Sequence, residues 1–212
     1  MKKRILIISL TSVMILAIVA VVPALAHQPF FEEEDIKASQ PWEIEDPTIS
    51  TAVYATLESA QDVDYFAFDG LKGQSILLSL VIPKIDGQEN FTPSLALMGP
   101  GLDTGSIDQK VSVPALAGLL VLPPPEGAAK LFFEPFSRTS YWERQKQIVE
   151  LPADGHYVVA VWNDPGQTGR YTFVIGDREV LGGDLRFPFK MKSYWTPVNH
   201  RQPPHSCSSL RF

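Results

Sequence analysis

The chain has 212 residues, 45% of them hydrophobic and 20% charged, which is enough apolar material for a packed core and too much for a disordered tail. With 18 Lys and Arg against 24 Asp and Glu the net charge is −6, and Lys2, Lys3 and Arg4 lie in a segment expected to be removed, so the mature chain is more acidic still. That balance excludes general nucleic-acid binding, which needs a basic surface, and the single cysteine, Cys207, excludes an intrachain disulfide framework and a multi-cysteine zinc site.

Residues 1–26 read as an export signal: a basic start, an apolar run over 5–22, the helix breaker Pro23, and Ala24-Leu25-Ala26 with small residues at the two positions a signal peptidase inspects. Cleavage there leaves His27 as the new N-terminus; the alternative is an uncleaved anchor, and either way the remainder leaves the cytoplasm for the envelope or medium. Residues 27–47 form an acidic arm, with Glu32, Glu33, Glu34, Asp35, Glu43, Glu45 and Asp46 against Lys37 alone, and are expected to be solvated. From residue 48 the pattern changes to short β-branched and aromatic runs closed by Gly, Pro, Asn or Asp, the signature of strands and turns. Strands are expected over 50–57, 64–68, 74–82, 94–98, 111–113, 118–122 and 130–133. The run 74–82 is apolar at both parities and so should be buried on both faces. Residues 141–151 fit a helical turn leading into a strand, because Trp142, Gln145 and Ile148 fall at helical spacing. Strands 155–162 and 170–175 follow, joined by the turn Asn163-Asp164-Pro165-Gly166. About eight to ten short strands at this spacing make residues 48–180 an all-β sandwich or barrel. In residues 181–212, Arg186, Lys190, Lys192, Arg201 and Arg211 interleave with Phe187, Phe189, Met191, Tyr194 and Trp195. This basic aromatic tail is suited to peripheral contact with an anionic membrane surface or to docking on the sandwich.

Three stretches together resemble the bacterial pre-peptidase C-terminal domain: Asp62-Val63-Asp64-Tyr65-Phe66-Ala67-Phe68 with the following Gly73-Gln74, then Leu151-Pro152-Ala153-Asp154-Gly155-His156-Tyr157, then Thr168-Gly169-Arg170-Tyr171-Thr172-Phe173. The resemblance covers about residues 48–176 and implies an exported, jelly-roll-like antiparallel β-sandwich without catalysis of its own. The chain departs from that pattern in carrying no attached enzyme and in an insert-like region over 83–136.

Candidate chemistry is sparse. His27, once exposed, offers an α-amino group and an imidazole to copper, with His156, His200 and His205 as the available further ligands. Asp62 and Asp64, with Asp154 and Asp164, lie where turn carboxylates converge on calcium or cap the turns themselves. Tyr171, two residues beyond Gly169, is placed to cross one end of the sandwich and bond a loop through its hydroxyl. No Gly-x-Ser-x-Gly elbow exists, since Asp103 stands at the centre of 101–105, and no histidine is placed for a triad, so a non-catalytic module is expected. For binding, Tyr141 and Trp142 beside Arg138 and Arg144 form a candidate exposed platform for a glycan or an envelope protein.

Overall fold

The computed structural model describes residues 27–194, apart from residues 136 and 165. The export segment, His200, His205, Cys207, Phe136, Trp195 and the last part of the basic tail therefore lie outside the described residues. In chain order the elements are β1 (Gln28–Phe31), β2 (Trp42–Glu43), β3 (Thr51–Leu57), β4 (Val63–Gly70), β5 (Ser75–Pro83), β6 (Ser94–Gly99), β7 (Gly118–Leu122), β8 (Lys130–Glu134), β9 (Thr139–Glu150), β10 (Gly155–Trp162), β11 (Gly169–Ile175) and a helix, α1 (Phe187–Tyr194). They build two mixed sheets, β1-β3-β11-β5-β9-β8 and β2-β4-β10-β6-β7, packed face to face as an all-β sandwich. No helix among the described residues is long and apolar enough to cross a membrane.

Alternation sets what faces inward. On β4, Phe66 and Phe68 enter the inter-sheet core, where Phe66 lies 4.6 Å from the Phe173 ring, while Val63 and Tyr65 face the other way. Both outer faces are covered as well. Ile107, Val111 and Ala117 of the insert-like region pack over Tyr65, Ala96, Met98 and Trp162; α1 lays Phe187, Met191 and Tyr194 over Tyr54, Val81 and Tyr141. A strand in the middle of such a stack is buried on both sides, which is why β5 and β6 are written with apolar residues at both parities.

Four expectations change. The acidic arm is not solvated: β1 runs parallel to β3 and β2 parallel to β4, and Ile36 and Ile44 are buried between them. Four apolar anchors (Phe30, Ile36, Trp42 and Ile44) outweigh the charges, whose side chains turn outward or meet at the site described below. The two parallel pairings also make the sheets mixed rather than purely antiparallel. Residues 111–113 are not a strand; they form a loop fixed by Ser112 N–H donating to Tyr65 Oη at 2.6 Å. Residues 141–151 contain no helical turn, because pairing with β5 along nearly the whole of β9 overrides the local spacing. Of the two readings of the basic tail, docking on the sandwich is the one found over 187–194, where the chain is helical and Phe187, Met191 and Tyr194 are taken up in the covered cluster.

Candidate metal centre

Three carboxylates converge where the arm crosses one end of the sandwich. The β1–β3 ladder ends with Glu32 N–H donating to the Tyr54 carbonyl at 3.0 Å, and Glu32 Oε2 accepts the Thr56 N–H at 2.8 Å. That fixes Glu32 over the end of β3. The chain then bends so that Asp35 approaches from the solvent side, while Asp64 reaches in from β4. Carboxylate oxygens of Glu32, Asp35 and Asp64 lie within 4.8 Å of one another. Asp35 is exposed and forms an ion pair with Lys37 at 3.0 Å, whereas Asp64 is fully buried.

Asp64 explains the chemistry of the cluster. Its Oδ2 accepts the hydroxyl of the fully buried Tyr171, so the two sheets are tied by a hydrogen bond across the core. Its Oδ1 is buried and has no hydrogen-bond partner among the described residues. Burial, and then the neighbouring Glu32 charge, hold the Asp64 carboxyl well above the ordinary carboxylate range. Burial likewise pushes Glu32 up to about 7, against the pull of the Thr56 N–H, and raises Asp62. Like charges this close need a proton or a cation between them. A cation with oxygen ligands at roughly 2.3–2.6 Å would use the orphaned Oδ1 and leave room for carbonyl and water ligands on the open side.

The same geometry sets a pH dependence for metal-free protein. Glu32 holds its proton up to about pH 7 when folded but releases it near the ordinary 4.5 when unfolded, so in that window the native state binds more protons. Stability therefore falls as pH rises from 4.5 to about 7. The charges of Asp35 and Asp62 reinforce the effect, Asp64 feels the Glu32 charge in turn, and Arg170 and Lys190 line the same small cavity as Glu32. Urea unfolding in chelator should show a loss of about 2 kcal/mol between pH 5 and pH 8, and saturating calcium should flatten that slope.

Of the residues singled out from sequence, only Asp64 belongs to this cluster. Asp62 caps a turn instead, its Oδ2 accepting the Glu58 N–H at 2.6 Å, although its charge is felt at Glu32. Asp154 accepts the Lys72 N–H at 2.6 Å, and Asp164 accepts the Trp162 indole N–H and the Ser94 hydroxyl. His27 Nδ1 lies 2.6 Å from Ser50 Oγ and His156 Nδ1 lies 3.0 Å from Asp69 Oδ1, and neither joins a group of three candidate ligands among the described residues. Glu32 and Asp35 were expected to be solvated; the apolar Phe30, Phe31 and Ile36 around them were the sequence sign that the arm docks.

The aromatic platform is corrected. Strand alternation sends Tyr141 and Trp142 to opposite faces of β9. Tyr141 is only 2% exposed, stacked 5.8 Å from Phe132 in the cluster that α1 covers, whereas Trp142 is half-buried, one side packed against the inter-sheet core. Arg144 is buried, donating to the carbonyls of Phe91 at 3.1 Å and Glu89 at 2.9 Å, so it fastens a loop. Arg138 occupies a left-handed turn position, φ 55°, in the β8–β9 hairpin.

No family model matches the chain, and no curated protein matches it. Among solved structures it is similar to a periplasmic inhibitor of g-type lysozyme from Aeromonas hydrophila, at 12% identity over 71% of this chain and 96% of that one, TM-score 0.34. It is also similar to the pre-peptidase C-terminal domain of a Bacillus anthracis collagenase, at 12% identity over 68% and 99%, TM-score 0.34. A third is CorA, a surface-associated copper-binding protein of Methylomicrobium album BG8, at 8% identity over 71% and 98%, TM-score 0.28. Similarity this low transfers neither a ligand nor a partner.

Proposed function

We propose that the chain is an exported, non-catalytic β-sandwich binding module of the cell envelope or medium, and that Glu32, Asp35 and Asp64 hold a divalent cation that locks its N-terminal arm onto the sandwich. The observation that carries this is the buried, unpartnered Asp64 Oδ1 beside two further carboxylates. An all-oxygen donor set is hard and irregular, which favours calcium over copper or zinc, and over magnesium, which demands near-octahedral geometry. The leader-like residues 1–26 support export, and a structural calcium at an arm suits the millimolar calcium found outside cells. Calorimetric titration of the full exported protein with calcium tests it. Binding of one ion per chain, displaced by chelator and weakened at least about tenfold in Asp35→Asn, is expected. Absence of any heat, together with an unmoved melting temperature in millimolar calcium, would refute the site.

A further inference from the structure

Of the four strands that end the two sheets, three have their outer sides engaged or are very short. The Asp184 N–H bonds the Pro29 carbonyl on β1 at 2.7 Å, the Leu119 N–H of β7 bonds the Asp103 carbonyl at 2.8 Å, and β2 has only two residues. β8 is different. It pairs with β9 on one side, and no strand pairs with its other side among the described residues. Its sequence is Lys-Leu-Phe-Phe-Glu, and Leu131 and Phe133, on the face opposite Phe132, are 48% and 62% exposed. An open edge carrying exposed apolar side chains is a template for another strand.

We infer that this edge is a self-association surface, and that two copies of the chain pair through β8 in antiparallel register about a two-fold axis at Phe132. The charge pattern selects that occupant. In this register Lys130 of one copy faces Glu134 of the other, twice, and Leu131 faces Phe133, twice, so every exposed side chain of the strand meets a complementary one. Parallel pairing would set Lys on Lys and Glu on Glu, and β8 strands with like charges at both ends would repel each other. Glu134 keeps its own turn bond from the Ser137 N–H, a contact a carboxylate can make while facing a lysine. Because the contact is isologous it consumes the open edge of both copies and closes at the dimer. The flanking loop over 123–129 is largely exposed and leaves the approach open.

Sedimentation velocity of the full chain over a range of concentrations tests the inference, with calcium held constant so that the arm site does not vary. A monomer–dimer equilibrium is expected. Lys130→Glu, at an exposed position, should weaken it at least about tenfold, and the swap Lys130→Glu with Glu134→Lys should regain it. Phe133→Asp, likewise at an exposed position, is a second probe that leaves the hairpin turn untouched and should also dissociate the dimer. A protein that stays monomeric, or a dimer indifferent to both Lys130→Glu and Phe133→Asp, would overturn the inference; larger open assemblies would overturn the closed two-fold arrangement.

Discussion

Replacing Asp64 by asparagine is expected to stabilise the protein in chelator at pH 8 and to abolish its stabilisation by calcium. Asparagine keeps an acceptor for the Tyr171 hydroxyl but removes an ionisable carboxyl from a place where three lie within 4.8 Å of one another. In metal-free protein that relief should raise stability by about 1–3 kcal/mol, because burying like charges is among the more expensive arrangements a fold can carry. With calcium the order inverts. A ligand at a hundred times its dissociation constant adds about 2.7 kcal/mol to the wild type, and the variant gains little of it. Paired thermal melts of both proteins, in chelator and in calcium, read the inversion directly. If the wild type ignores calcium and Asp64→Asn is the less stable protein in both buffers, then Asp64 is a protonated donor in the core and the cation site does not exist.

The second large effect is expected at Tyr194. Its ring stands edge-on to Tyr54 with centroids 5.0 Å apart, and its hydroxyl donates to the Tyr171 carbonyl and bonds Thr172 Oγ1 at 3.0 Å. Tyr194→Ala removes the C-terminal anchor of α1 and leaves Tyr54 and Tyr141 facing water or a cavity, a loss of about 3–5 kcal/mol and roughly 10 °C or more in melting temperature. Tyr194→Phe keeps the ring and should lose about 1–2 kcal/mol, the part owed to the hydrogen bonds its hydroxyl makes to the Tyr171 carbonyl and Thr172 Oγ1. Guanidinium unfolding of the three proteins separates the terms. If α1 were a loosely lying tail, Tyr194→Ala would be nearly neutral. At the other end of the helix, Lys190 and Arg186 meet Glu33 and Asp184 at 2.5–3.3 Å. The pairs to Glu33 are surface contacts that orient α1 more than they stabilise it, and Lys190–Asp184 is half-buried beneath them.

The all-β class was written in the strand-and-turn pattern, and most strands from residue 50 onward sit where β-branched and aromatic runs alternate between turn residues. β7 and β10 begin and end where their bounding glycines, prolines and Asn163 place them. Tyr171 crosses the sandwich as its position two residues beyond Gly169 implied, although it meets the Asp64 carboxylate rather than a loop. The misses share one cause. The arm, the helical spacing in β9 and the supposed platform were judged on local composition, and each is decided by what lies on top of it. Glu32 and Asp35 look like a solvated run until β3 fixes the arm in register, and Tyr141 looks available until α1 covers it.

What the sequence by itself determined is therefore the class of fold, the acidic character, the leader-like start and the lack of a catalytic signature, because these follow from composition, short-range periodicity and turn chemistry. The tertiary structure alone decided which carboxylates meet, which aromatic rings are hidden and which strand edge stays open. These are contacts between residues far apart in the chain: 107 positions separate Tyr171 from Asp64. Local propensity carries no information about a neighbour that the fold supplies.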